Sequence, residues 1–261
     1  MTGQGIIRLA RQIERDISEH KSFEPVLNGN LDLEYAYQVQ DAVVDLLIGE
    51  NGDKRIGGYK LAFNNPAAFE HYGLTEPCRA PVLANRIVDS GQDLQRSAFR
   101  QLAIEPEIAV IIGQTLPATA TTTSEDVRNA IDYAVAAIEL LDVRNAFDIA
   151  PTAAEAVAQG VYNAGVVIGD TRLSFEMLDL ETLPVSLHLD TQPPVSAVGA
   201  APQNPIDAVC WLANHLGRRG ACLEKGMIVL CGTHLPVRFV DAAKSVRVQM
   251  GPLGEVSFQL S

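Results

Sequence analysis

Cysteine is scarce in this chain, four in 261 residues, and Cys78, Cys210, Cys222 and Cys231 show neither C-x-x-C spacing nor the density of a disulfide scaffold. They read as reduced thiols. No run approaches the roughly 18 uninterrupted apolar residues that a membrane-spanning helix needs, and MTGQGIIRLARQIERD lacks the long apolar core of a secretory signal. The expected location is therefore the cytoplasm, with no membrane contact. Basic residues are also in deficit: 20 Lys and Arg against 32 Asp and Glu give a net charge of −12, which argues against nucleic acid and anionic lipid as partners. A small anionic substrate stays open, because one metal ion or one well-placed lysine reverses the local field. No internal repeat or low-complexity linker divides the chain.

What is present is a 47% apolar composition, enough for a sizeable core. In IIRLARQIERDI the residues Ile6, Ile7, Leu9, Ile13 and Ile17 follow helical spacing, and LDLEYAYQVQDAVVDLLIGENG repeats the pattern until Gly52. Two helices are expected over the first 50 or so residues. IGGYKLAF is strand-like, and NNPAAFEHYGLTEPCRAPVL mixes a short helical stretch with turn residues. IEPEIAVII reads as strand. TATTTSEDVRNAIDYAVAA reads as a capped helix carrying Val127, Ile131 and Val135, and IELLDV as a strand after it. VYNAGVVIG, LPVSLHLD, GMIVLCG, KSVRVQM and EVSFQL are short β runs, with one helix at PIDAVCWLANHLGRRG. Strands without a helix after each one imply an α+β fold with mixed or antiparallel sheets.

The chemistry begins at AIEPEIAVII. On a strand, side chains at i and i+2 share a face, so Glu105 and Glu107 present two carboxylates side by side. Such a pair is tolerated when both are solvated, when one takes a proton, or when a cation lies between them. Pro106 favours a strand start or edge, since it cannot donate to a ladder. A second apolar run, AAIELLDVRN, carries Glu139 and Asp142. Three oxygen ligands on neighbouring strands suit Mg²⁺ or Mn²⁺; a solvated strand end is the competing reading. Lys60 in GGYKLAF is either a lysine extended past a strand end or a cation facing an anionic substrate.

The strings AYQVQDA, IGGYKLAF, IEPEIAV, AIELLDVRN, NAGVVIG, WLANHLGRRGACLEKGMIVLCGT and MGPLGEVSF, in that order from about residue 31 to the C-terminus, resemble the 2-keto-4-pentenoate hydratases. With the 4-oxalocrotonate decarboxylases, these belong to the fumarylacetoacetate hydrolase superfamily. The resemblance implies N-terminal helices (residues 1–55) before a mainly β catalytic region (residues 56–261), or one continuous domain. It implies a metal-dependent hydro-lyase of aromatic catabolism that acts on a small 2-oxo or 2-hydroxydienoic acid and forms a homo-oligomer. Glu105, Glu107 and Glu139 match the family's metal-binding carboxylates, with Mg²⁺ or Mn²⁺ as cofactor, and Lys60 matches its catalytic lysine. A 2-oxo dicarboxylate decarboxylase, or a catalytically silent partner assembling with a related pathway enzyme, are the alternatives.

Departures from the family pattern fall where a pocket would be. TEPCRAPVL offers Cys78 and Arg79 in place of an acidic residue, Gln159 and Gly160 replace an Asp-Asn pair, and Gly232, Thr233 and His234 replace a Gly-Ser segment. Arg79 is a candidate partner for a second substrate carboxylate, or else a surface loop residue. Asn163, Thr233 and His234 are further candidates for substrate contact. His188 is expected on a sheet face, Asp142 and Arg144 as an internal ion pair, and Trp211 in the core.

Overall fold

The computed structural model describes residues 3–49, 55–190, 192–240 and 242–261; Gly52, the expected helix stop, lies outside them. Both N-terminal helices form. α1 (Gly3–Ser18) buries Leu9, Ala10 and Ile13, and α2 (Leu33–Ile48) starts at Asp32, whose carboxylate accepts the Glu34 N–H at 2.9 Å. The elements that follow are β1 (Ile56–Ala62), α3 (Pro66–Tyr72), β2 (Cys78–Leu83), β3 (Ile87–Asp89), β4 (Gln92–Leu94), β5 (Leu102–Ile112), α4 (Ser124–Ala130) and β6 (Ile131–Asp142). Then come α5 (Ala153–Ala158), β7 (Asn163–Ile168), β8 (Pro184–Leu189), β9 (Val195–Val198), α6 (Pro205–Arg218), β10 (Ile228–Thr233), β11 (Arg238–Phe239), β12 (Ser245–Met250) and β13 (Glu255–Leu260).

The strands make two sheets. The larger is eight-stranded, in the order β2-β1-β10-β5-β6-β7-β3 with β11 also on β5; it is mixed, since β1·β10 and β3·β7 run parallel and the other pairs antiparallel. The smaller is five-stranded, β4-β13-β12-β8-β9. The fold is α+β, as the spacing of strands and helices implies. One face of the large sheet, with Leu61, Ile104, Ile108, Val110 and Ile138, packs on α6 and on Val246, Val248, Val256 and Phe258 of the small sheet. The opposite face meets α1, α2 and α5 through Ala62, Ala80, Ala103 and Leu141. Among the described residues no helix is long and apolar enough to cross a membrane, and the four cysteines are free thiols.

Three expectations change. The helix at SEDVRNA stops at Ala130: Thr123 and Asp126 form its capping box, but Ile131, Tyr133 and Val135 alternate as a strand and join the long β5–β6 ladder. Long-range pairing overrides the helical spacing there. CRAPVL, taken as loop, is a strand paired antiparallel with β1. Pro106 is not at a strand start or edge but inside β5, between β10 and β6. Its carbonyl accepts the His234 N–H at 2.9 Å, on the side where β10 pairing is interrupted between Leu230 and Thr233, so its missing N–H falls at that irregularity.

Candidate metal centre

The pleat and register of the large sheet bring the acidic residues together. Glu105 and Glu107 share a face of β5, Glu105 lies directly across from Glu139 on β6, and Glu107 pairs with Thr233 on β10. One oxygen from each of the three carboxylates falls within 4.8 Å of the others. Glu107 and Glu139 are buried at 1% and 0% exposure, and Glu105 lines an adjoining cavity of about 280 Å³. Lys60, buried on β1, brings its ammonium nitrogen to 3.3 Å from Glu139 Oε1. The Gly232 N–H donates to Glu107 Oε2 at 2.6 Å, and Asn163 Nδ2 donates to Glu139 Oε1 at 2.8 Å. Glu139 Oε2 is buried and has no hydrogen-bond partner among the described residues.

Burial pushes Glu105 up to about 7, against the pull of Lys60 and with the help of Glu139. It pushes Glu107 well above the usual carboxylate range, reinforced by Glu139 and Glu105 and opposed by Lys60 and the Gly232 amide. For Lys60, burial works to lower the ammonium's pKa, but Glu139, Glu105 and Glu107 outweigh it and the net shift is upward. One ammonium cannot balance three buried carboxylates, so protons or a cation must supply the remaining charge. The orphaned Glu139 oxygen is a ready acceptor for that cation. An all-oxygen donor set of this kind suits a hard divalent ion, for which Glu105, Glu107 and Glu139 are the available ligands.

The other candidates divide. Thr233 lines the cavity and donates its hydroxyl to the Leu235 carbonyl; Asn163 reaches Glu139. Arg79 is neither on a loop nor at the cavity. It pairs with Leu61 while Lys60 pairs with Ala80, so the pleat sends it to the opposite face of β1–β2. There its guanidinium binds Gln40 and Asp41 and stacks on the Tyr37 ring at 4.8 Å. His234 donates its main-chain N–H to the Pro106 carbonyl on β5, is buried and is not among the residues that line the cavity, and burial lowers its pKa to about 4. Asp142 and Arg144 are not an ion pair: Asp142 accepts the Arg100 and Gln101 amides, and Arg144 donates to Gln159. His188 sits on a sheet face beside Ser186, and Trp211 packs against the core while donating to Glu76.

The rest of the cavity wall was not anticipated. Phe63, Tyr72, Phe147, Val161 and Tyr162 line it. Phe63, Val161 and Tyr162 adopt left-handed backbone, with φ of 54°, 45° and 65°. That conformation is strained for a β-branched residue and clusters at functional sites. No local sequence signal marks it.

The C-terminal family model of fumarylacetoacetate (FAA) hydrolase matches residues 76–261. The chain belongs to this family. A 2-keto-4-pentenoate hydratase of Burkholderia vietnamiensis is 30% identical over 226 residues, 86% of this chain and 85% of that protein. A 2-oxo-hept-4-ene-1,7-dioate hydratase of Escherichia coli is 29% identical over 233 residues, again 86% and 85%. Among solved structures of the family, the 4-oxalocrotonate decarboxylase of Pseudomonas putida G7, complexed with magnesium and adipate, superposes with a TM-score of 0.88 at 25% identity over 100% of this chain and 99% of that one.

Proposed function

We propose that the protein is a Mg²⁺- or Mn²⁺-dependent hydratase that adds water to a 2-hydroxy-2,4-dienoate (2-oxo-4-enoate) and yields a 4-hydroxy-2-oxo acid. The observation that carries the reading is the convergence of Glu105, Glu107 and Glu139 within 4.8 Å, beside a cavity that Lys60 also lines. The hydratase relatives support the reaction class, and the magnesium complex of the decarboxylase supports the metal.

A divalent ion held there would supply Lewis-acid stabilisation of negative charge developing on the substrate head group. The chain's residues do the rest. Glu105, Glu107 and Glu139 would hold the ion, and the Gly232 amide and Asn163 fix the orientation of two of them. Lys60, kept as an ammonium by the three glutamates, faces the charge that develops on the 2-oxygen as the dienol hydroxyl gives its proton to solvent water, and it can donate one of its own protons and regain one from that water. A proton then reaches the terminal carbon, and water adds to the conjugated double bond at C4. Leu141, Phe147 and Val161 keep bulk water from the diene.

Decarboxylation of a 2-oxo dicarboxylate is the second reading, favoured by the extent of the match to the decarboxylase. Both reactions pass through the same dienolate. The homo-oligomer, the cytoplasmic setting in aromatic catabolism and a pathway partner belong to the same proposal. The test is to mix purified protein and Mg²⁺ with freshly generated 2-hydroxypenta-2,4-dienoate. Loss of the dienol absorbance, abolished by EDTA, with a product heavier by one water, is the expected result. No turnover of this or related dienols would overturn the reading in favour of a silent subunit.

A further inference from the structure

Lys60 is the one lysine or arginine among the described residues that line the cavity, and its charge is already directed at Glu139, 3.3 Å away. Arg79, on the other face of the sheet, and Arg144, which donates to Gln159, are not among the residues that line the cavity. Away from the glutamates the wall is aromatic and aliphatic. Phe63 packs on Tyr72 with ring centres 4.4 Å apart, and Phe147 meets Tyr162 edge to face at 5.6 Å. Val161, Leu141 and Val237 fill the space between. Asn64, Asn65 and Thr233 each bond to the protein: Asn64 donates to the Cys231 carbonyl, Asn65 caps α3, and Thr233 donates to the Leu235 carbonyl.

We propose that the cavity selects a 2-oxo or 2-hydroxydienoic monocarboxylic acid whose far end carries an uncharged, apolar or aryl group, and discriminates against a second carboxylate there. This rests on the metal-and-head-group reading above and names the tail that it leaves open. A substrate seated with its oxo-carboxylate head at Glu105, Glu107 and Glu139 directs its other end at the ring pairs. A second carboxylate would be desolvated there with no cation to meet it. An alkyl or phenyl group would gain apolar burial and edge-to-face contacts with Phe147 and Tyr162.

The test is calorimetry on the Mg²⁺-loaded protein with three non-reacting ligands: oxalate, which reports the head site alone, 2-oxo-4-phenylbutanoate and 2-oxohexanedioate. The aryl monoacid should bind at least about tenfold more tightly than the diacid. Phe147→Arg, at a position 46% exposed and so open to a longer side chain, should keep oxalate binding and shift the ratio toward the diacid. Equal or tighter binding of the diacid by the wild type, with oxalate bound, overturns the tail assignment alone. Failure of oxalate itself to bind overturns the head-group reading, and the tail assignment with it.

Discussion

Glu105 and Glu139 stand directly opposite each other across the β5–β6 ladder, and Lys60 approaches the second of them at 3.3 Å. Like charges in facing positions of a sheet oppose its stability, and here Glu107 adds a third on the same face. The apolar neighbours make the arrangement costlier: the same face continues through Ala109, Ile111, Val135 and Ala137 on one side of the cluster and through Ala103 and Leu141 on the other. A charge set that the fold bears at such a site is expected to reveal itself when one member is removed.

Glu107→Gln is the cleanest such removal, because glutamine keeps an oxygen for the Gly232 amide. Changes beyond the ligands of a metal site cost about 10–100-fold in affinity, so loss of a ligand should weaken Mn²⁺ binding by at least about 100-fold. Metal-free stability should move the other way at pH 8. Glu107 is raised well above the usual carboxylate range, so the metal-free fold is penalised when the group ionises. A gain on the order of 1 kcal/mol, roughly 2–4 °C in Tm for a chain of this size, is expected in EDTA. Unchanged Mn²⁺ affinity would remove Glu107 from the ligand set.

The pH dependence follows from the sign of these shifts. A free glutamate ionises near about 4.3, whereas Glu105 is raised to about 7 and Glu107 is raised well above the usual carboxylate range. Their contribution to metal-free stability is complete below the unfolded value and is lost as pH rises through the folded one. The Tm difference between Glu107→Gln and wild type should therefore widen from pH 6 to 8. Metal must displace the protons, so Mn²⁺ affinity should increase at least about tenfold over that interval, with proton release visible in buffers of different ionisation enthalpy. A flat profile would mean that the carboxylates are already ionised without metal.

Lys60→Met separates metal binding from turnover. The three glutamates raise the lysine and hold it charged, so removing it takes a cation away from the ligand set. Mn²⁺ affinity should be retained or tightened, while kcat on the dienol falls by about 10²–10⁴-fold, the usual scale for a positioned proton-transfer group. An unaltered kcat would leave Lys60 with a purely electrostatic role in the resting fold.

Much of this site was legible in the sequence, and the limits of that legibility are physical. The i, i+2 relation of Glu105 and Glu107 follows from strand geometry alone, and Glu139 stands out as a charge in an apolar run. That the two strands are neighbours, in the register that sets Glu105 against Glu139, is a long-range pairing which no local pattern encodes. Arg79 failed for the same reason, since the β1–β2 register decides which face it shares and sends it away from Lys60. The helix expected through Val135 stopped at Ala130 because the neighbouring strand competed for the same residues. The aromatic wall depended on left-handed backbone at Phe63, Val161 and Tyr162, bulky residues that do not advertise it.

Gly232 joins backbone geometry to the acidic cluster, and its replacement tests that link. Its φ is 109°, and a Cβ built there would lie 2.5 Å from Asn64 Nδ2 and 2.6 Å from Pro202 Cγ. Gly232→Ala should therefore cost about 1–3 kcal/mol in backbone strain, with steric displacement in addition. Since the same residue's amide donates to Glu107 at 2.6 Å, Mn²⁺ binding should weaken along with stability. Gly91→Ala is the control: its φ is 83°, but nothing lies within 4 Å of the added Cβ, and the residue is remote from the carboxylates in the β3–β4 turn. It should lose stability and keep its metal affinity. Parallel melting curves and Mn²⁺ titrations of the two variants decide the matter, and equal Mn²⁺ affinity in both would show that Glu107 keeps its place despite strain in the backbone at position 232.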